Sequence, residues 1–304
     1  MQHFTYKSVI MPIRSNLLSM KKALFVAGIV MIICAACTKE DSFSPPGEKY
    51  TIDHRFIDIS EIPGYWIEKA KETLHIAYGH TSHGSQITSG MTGLVNFLGP
   101  DYAWNNGGSG GALDLHDYAM SGDLGNPNFT EWETKTREYL ATETDVNVII
   151  WSWCGQVSRA TEENIDTYLG LMSGLEEDFP GVTFVYMTGH LDGTGPDGNL
   201  HLRNEQIRTY CKTNNKFLYD FADIESYDPD GNSYLDKGAD DACDYDSNND
   251  GEPDSNWAID WQNTYTEGVD WYDCSAAHTQ PLNANMKAYA AWHLWVRIAG
   301  WDQE

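Results

Sequence analysis

A serine and a histidine far apart in this chain have the residue types and settings that nucleophilic catalysis requires. Ser82 lies in a polar turn that directly follows the apolar run at residues 74–78. His278 lies shortly before a helical pattern at the end of the chain, with Asp273 a few residues before it. A serine hydroxyl is a weak nucleophile until a histidine removes its proton, and a carboxylate commonly orients that histidine. We therefore predict Ser82 as nucleophile, His278 as base and Asp273 as the orienting acid.

Two parts of this assignment stay open at the level of sequence. Ser85 lies in the same turn as Ser82 and is an alternative nucleophile. Asp270 is an alternative to Asp273, because both carboxylates precede His278 by a short stretch of chain.

Several histidines offer a different chemistry, that of a divalent-metal hydrolase. The candidate ligands are His80, His83, His190, His201 and Asp192. Imidazole and carboxylate are common ligands of catalytic zinc, so a metal-dependent hydrolase is an alternative function. Otherwise these histidines form the polar lining of a cleft, and catalysis needs no cofactor.

Short apolar runs alternate with helical patterns, which is typical of a parallel sheet covered by helices on both faces. The predicted strands are residues 74–78, 112–115, 146–151, 182–187 and 217–219. The predicted helices are residues 131–141, 161–179, 199–214 and 283–299. The fold class is therefore α/β, a three-layer α/β/α sandwich around a central parallel sheet. Function in such sheets gathers at the carboxyl ends of the strands, where the turn with Ser82 falls.

Four sequence blocks follow one another in an order that resembles the SGNH (GDSL-like) hydrolases. The blocks are Gly79-His-Thr-Ser82, residues 105–110, residues 151–156, and His278 with residues 281–285. The chain departs from the family pattern because no aspartate directly precedes Ser82 and the third block lacks an asparagine. The residue three positions before His278 is Ser275, where the family has its aspartate.

The resemblance implies a flavodoxin-like sandwich that works as an esterase, for example a deacetylase of a carbohydrate or another small ester. It implies an oxyanion hole formed by the backbone N–H groups of Ser82 and Gly108, with Gln156 or the region of Cys154 as a further donor. The residues expected to line the substrate cleft are His80, His190 and Trp271. The missing asparagine supports a second hypothesis, a non-catalytic surface lipoprotein that binds glycans on the same fold.

The N-terminal segment has the features of a bacterial lipoprotein signal. Two lysines follow Met20, and a short apolar run then leads to Cys34-Ala-Ala-Cys37. We predict a signal peptide over residues 1–36 with its start at Met20, lipidation of Cys37, a tether over residues 37–50 and the hydrolase domain over residues 51–304. The protein is then expected in the cell envelope, at the outer membrane, with the lipid as its contact with the membrane.

The chain carries a formal net charge of −26. Binding to nucleic acid would bring like charges together, so nucleic acid is not expected as a partner. A small ester or glycan substrate suits this charge, and we expect a monomer.

Cysteines and acidic residues predict two stabilising features. An exported chain favours disulfides, and we predict one between Cys243 and Cys274. An acidic insertion is predicted at about residues 223–260, within which oxygen-bearing side chains have the spacing of a calcium loop. The candidate ligands of this structural Ca²⁺ are Asp246, Asn248, Asp250, Glu252 and Asp254.

Overall fold

Seven parallel strands form the centre of the fold in the computed structural model, which describes residues 48–302. These strands are β1 (Thr51–Ile52), β2 (His75–Gly79), β3 (Trp104–Asn105), β4 (Leu113–His116), β5 (Val148–Trp151), β6 (Thr183–Met187) and β7 (Leu218–Tyr219). Their order across the sheet is β1-β7-β6-β5-β2-β4-β3, so β2 and β5 are neighbours near its middle. All residues of β5 are buried, as expected for a strand covered on both faces.

Helices cover both faces of this sheet, so the predicted α/β/α architecture is confirmed. The helices are α1 (Gly64–Thr73), α2 (Ser85–Leu98), α3 (Glu131–Leu140), α4 (Glu162–Asp178), α5 (Asn199–Asn214), α6 (Phe221–Ile224), α7 (Trp257–Thr264) and α8 (Pro281–Ile298). One set of helices packs around α8, namely α1, α2, α6 and α7, whereas α3, α4 and α5 pack against one another. No helix within residues 48–302 is long and apolar enough to span a membrane.

The contact between α2 and α8 is the most extensive between any two elements of the described chain, and a glycine allows these helices to approach closely. A Cβ atom on Gly90 of α2 would lie 2.1 Å from the backbone oxygen of Ala284 in α8. Backbone atoms cannot move aside as a flexible side chain can. The helix that begins just after Ser82 is therefore positioned by a contact that tolerates no side chain.

Replacing Gly90 with alanine should lower the free energy of unfolding by about 1–3 kcal/mol or more, because it overpacks this contact. Gly170→Ala is the matched control, since Gly170 lies inside α4, is exposed and has open space around its Cβ position. That change should stabilise the protein by about 0.5–1 kcal/mol through helix propensity. Urea unfolding of both variants measures the difference, and equal stabilisation by both would contradict the close contact.

The acidic segment between α6 and α7 lies largely outside the main sheet. It contains a two-stranded antiparallel hairpin of β8 (Asp244–Tyr245) and β9 (Ser255–Asn256). An isolated bridge joins Asp240 of this segment to Asp192, which follows β6. The segment therefore reaches the carboxyl edge of the sheet, where the site lies.

The signal peptide, its start at Met20 and the lipidated Cys37 lie outside the described residues. Of the tether predicted for residues 37–50, only the last three residues are described, and Glu48–Tyr50 forms a short 3₁₀ helix. The Arg297 side chain donates a hydrogen bond of 2.6 Å to the carbonyl of Lys49, which fixes this segment against α8.

Candidate active site

Ser82 lies at the carboxyl end of β2, in the turn that leads into α2. This strand ends at Gly79, where a Cβ atom would approach the ring of Trp151 in β5 to 2.4 Å. Within the turn, the hydroxyl of Ser85 donates to the carbonyl of Ser82 at 2.6 Å. Ser85 is therefore occupied as part of the helix start.

His278 brings its Nε2 atom to 2.9 Å from the hydroxyl oxygen of Ser82. The sequence prediction that these two side chains meet thus agrees with the structure, and the pairing favours Ser82 over Ser85. His278 is exposed and has a positive φ of 65°, a backbone conformation that is uncommon for residues other than glycine. The preceding carbonyl, of Ala277, accepts a hydrogen bond of 2.6 Å from Gln86 in α2. This bond fixes the loop at the point where its backbone is strained.

The structure does not bring either predicted acid to His278. Asp273 is exposed, and among the described residues its carboxylate has no hydrogen bond or ion pair. The carboxylate of Asp270 accepts a hydrogen bond of 2.9 Å from the backbone of Thr266 within its own loop. Both aspartates are close to His278 in sequence, yet neither places its carboxylate at this histidine.

A stack of three imidazole rings takes the place of that acid. The ring of His278 stacks on that of His83 at a centroid distance of 4.4 Å, and the ring of His83 stacks on that of His190 at 3.8 Å. His83 Nε2 lies 2.8 Å from the carboxylate of Asp241, and His83 Nδ1 lies 3.2 Å from the sulfur of Cys154. Asp241 belongs to the acidic segment, so residues from five separate parts of the chain meet here.

Burial and neighbouring charge favour a neutral imidazole at His83 and an ionised carboxylate at Asp241. Burial lowers the pKa of His83, and the nearby His190 and His278 lower it further against the opposing bond to Asp241. Burial alone would raise the pKa of Asp241, but the hydrogen bond from His83 and the charge of His190 lower it on balance. The site therefore holds the anionic carboxylate of Asp241 beside the uncharged imidazole of His83 near neutral pH.

The oxyanion hole implied by the family resemblance requires correction at Gly108. The N–H of Gly107 donates to Asp114 at 2.6 Å, and a Cβ on Gly108 would lie 3.2 Å from the Cβ of Asp114. Asp114 pairs with His75, the first residue of β2, whereas Ser82 follows the last. Gly108 is thus at the opposite edge of the sheet, roughly 13 Å away at the usual rise per strand residue.

Gln156 does lie at the carboxyl edge, but its amide is occupied. Its Nε2 donates to Asp123 at 2.9 Å, and its Oε1 accepts from the N–H of Cys154 at 3.0 Å. Asp123 also accepts from the hydroxyl of Thr81 at 2.9 Å, next to Ser82. Gln156 therefore supports the turn around the site rather than presenting a free donor.

Three consecutive N–H groups at the start of α2 are better placed to stabilise an oxyanion. Those of Ser82, His83 and Gly84 have no hydrogen-bond acceptor among the described residues, whereas the next one, of Ser85, bonds to Thr81. Unpaired N–H groups before a helix form a natural site for negative charge.

The remaining predicted residues take other positions. His80 is buried, with Nε2 2.7 Å from Asp117 and Nδ1 2.8 Å from the carbonyl of Thr81. Trp271 is half-buried against the hydrophobic core, so it does not stand out as an aromatic platform.

Asp192 accepts from the hydroxyl of Thr194, and with His201 it lines a separate cavity beside β7. Of the predicted metal ligands, the structure brings together only His83 and His190.

The predicted disulfide between Cys243 and Cys274 is wrong in this structure, because all four cysteines of the described chain are free. The sulfur of Cys243 lies 3.3 Å from the hydroxyl of Thr279, and that of Cys274 lies 3.8 Å from the carbonyl of Pro281. Each thiol thus has a polar neighbour shortly after His278, Thr279 in the loop and Pro281 at the start of α8. The contact between Cys243 and Thr279 connects the acidic segment to this loop in place of the expected disulfide.

The predicted calcium loop forms a turn held together by its first aspartate. The carboxylate of Asp246 accepts four backbone N–H groups, from Asn248 to Gly251, which lower its pKa. The carboxylate of Asp254 accepts from the backbone of Ser247 and the amide of Asn248. The other predicted ligands, Asp250 and Glu252, are exposed. Calcium binding here stays a prediction.

A buried ion pair, not anticipated from the sequence, connects the loops that carry His190 and His278. Lys287 in α8 is fully buried, and its ammonium donates to Glu225 at 2.6 Å and to Gln86 at 2.5 Å. Glu225 also accepts from the N–H of Leu191, the residue after His190, while Gln86 donates to Ala277, the residue before His278. Burial lowers the pKa of Lys287, and Glu225 opposes that shift.

Sequence reasoning missed Asp241 and this ion pair as parts of the site, and it gave the region of Cys154 a different role, that of an oxyanion donor. Asp241 was included only in a generally acidic segment, and one aspartate among many carries no separate signal. Lys287 and Gln86 lie in helices whose other residues indicate packing. No protein-family model, curated protein or solved structure matches this chain.

Proposed function

We propose that this protein is a serine esterase of SGNH type, with Ser82 as nucleophile and His278 as general base. The observation that supports the proposal best is the 2.9 Å separation of the Ser82 hydroxyl and His278 Nε2 at the carboxyl edge of a parallel sheet. A base within hydrogen-bond reach of a hydroxyl is the first geometric requirement of this chemistry. The second requirement is a set of donors for the oxyanion, which the unpaired N–H groups of Ser82, His83 and Gly84 can supply.

In the proposed reaction, the hydroxyl oxygen of Ser82 attacks the ester carbonyl while His278 takes the proton. The oxyanion of the tetrahedral intermediate is stabilised by the N–H groups of Ser82, His83 and Gly84, each such donor being typically worth about 3 kcal/mol. His278 then protonates the departing alcohol. Water, activated by the same imidazole, releases the acid from Ser82. His83, held by Asp241, orients His278 by ring stacking in place of a carboxylate.

For the substrate we propose a neutral carbohydrate ester or another small ester, with deacetylation as the reaction. The net charge of −26 disfavours polyanionic substrates. We further propose a lipoprotein anchored through Cys37 in the cell envelope, where such esters are accessible.

A fluorophosphonate probe tests this proposal directly, because it reacts with activated serines. Peptide mapping after labelling should find the probe on Ser82, and Ser82→Ala should abolish labelling while Ser85→Ala retains it. A probe found on Ser85 would show that the turn is misassigned. No labelling and no ester turnover would instead favour the glycan-binding lipoprotein.

A further inference from the structure

The residues beside the proposed dyad contain a second set of groups with a different chemistry. One ring nitrogen of His83, one of His190 and a carboxylate oxygen of Asp241 all lie within 4.8 Å of one another. Two imidazoles and a carboxylate are the ligand set of many catalytic zinc and non-haem iron sites. The esterase mechanism uses the side chains of His83 and Asp241 only to orient His278, and it gives the side chain of His190 no role.

The structure provides an independent sign that His190 lacks a partner. Its Nε2 atom is buried and has no hydrogen-bond partner among the described residues, and only 9% of the residue is exposed. A buried ring nitrogen without a partner is costly, because it has lost water and gained nothing. Its Nδ1 lies 2.8 Å from the carbonyl of Leu191, as is typical of a histidine whose other nitrogen binds metal.

The spacing also fits an ion. The Asp241 oxygen lies 2.8 Å from His83 Nε2 and 4.0 Å from His190 Nδ1. Ligands in a zinc tetrahedron with bonds near 2.0 Å are about 3.3 Å apart, so the distance between His83 Nε2 and the Asp241 oxygen is close to that of two ligands of one ion. The ring of His190 is stacked on that of His83, and a turn of the His190 side chain about its soft terminal torsion would aim its unpartnered Nε2 at the same centre.

We propose that His83, His190 and Asp241 bind a divalent transition metal of the zinc class through His83 Nε2, His190 Nε2 and the carboxylate. The sulfur of Cys154 lies 3.2 Å from His83 Nδ1, the other ring nitrogen, and so orients the His83 ring from outside the metal site. This set replaces the one expected from sequence, in which His80 and Asp192 would have been ligands. The ion would lie beside His278, yet its binding does not require that Ser82 is a nucleophile.

Calorimetric titration of the metal-free, full-length protein with Zn²⁺ tests the proposal, and Co²⁺ serves as a spectroscopic probe. We expect one site that His190→Gln and Asp241→Asn weaken by more than the roughly 10–100-fold typical of losing an outer-shell partner. Cys154→Ser changes only an outer-shell contact of His83 and should weaken binding less than either of these variants. Zn²⁺ should also raise the melting temperature of the wild type by mass action.

His54→Gln is the matched control, because His54 belongs to the other group of suitable ligands in the described chain, with Asp53 and Asp223. It should leave Zn²⁺ affinity unchanged. Absence of binding to the wild type, or loss of binding in His54→Gln but not in His190→Gln, would overturn the proposal. If His190→Gln fails to fold, Asp241→Asn decides, since Asp241 lies in the acidic segment outside the main sheet. Ser82→Ala should bind Zn²⁺ like the wild type, so failure of the metal proposal and failure of the esterase proposal give different results.

Discussion

Replacing Ser82 with alanine should lower kcat/KM for a simple acetyl ester by about four to six orders of magnitude. The reason is the loss of the atom that forms the acyl-enzyme. His278→Ala should cost a similar factor, because the hydroxyl 2.9 Å from its Nε2 then keeps its proton. The double variant should be no worse than either single one, since the two groups act as a unit. Steady-state kinetics of the three variants measures this.

Asp273→Asn is the matched control for the acid. Its carboxylate is exposed and unpaired among the described residues, so the change should leave kcat/KM close to that of the wild type. A loss of 100-fold or more would show that Asp273 reaches His278 during catalysis, as the sequence alone predicted. If activity survives in Ser82→Ala but is lost on chelation, a bound metal rather than Ser82 is responsible for the hydrolysis.

Replacing Lys287 with methionine should lower the free energy of unfolding by about 3–5 kcal/mol. Methionine fills similar space, so the main cost is the Glu225 carboxylate, which is left buried without its cation. Both side chains are fully buried, which makes this one of the costliest single changes available in the fold. Urea unfolding followed by tryptophan fluorescence measures the loss.

The double variant Lys287→Met with Glu225→Gln distinguishes a charge effect from a packing effect. Glutamine keeps an oxygen that accepts the N–H of Leu191 but removes the buried charge. Most of the lost stability should return, because neutral replacement of a buried ion pair is often close to neutral in stability. If the double variant is as unstable as Lys287→Met, the packing of the lysine side chain rather than its charge stabilises the loops that carry His190 and His278.

Local pattern was enough to predict the parts of the fold that are buried on both sides. β5 and β6 lie in short apolar runs rich in β-branched and aromatic residues, which favour buried strands, and α5 was predicted with the bounds it has in the structure. The strands β1 and β3 were not predicted, because each has only two residues and neither lies in an apolar run like that at residues 217–219, which contains β7. The helix α2 was also missed, since its glycines and hydroxyl side chains read as turn residues, although Gly90 is needed for close packing.

For the site, the sequence by itself determined that Ser82 follows a strand and that His278 precedes the last helix. In a parallel sheet flanked by helices, the ends of strands and the starts of helices lie at the carboxyl edge, so both residues are expected there. Only the tertiary structure decided which groups surround them. Asp241, rather than Asp273, holds the histidines, because the acidic segment folds back to the edge of the sheet and a bridge at Asp240 fixes it there. Spacing along a chain predicts contacts within a helix or strand, but contacts between loops depend on how the whole chain packs.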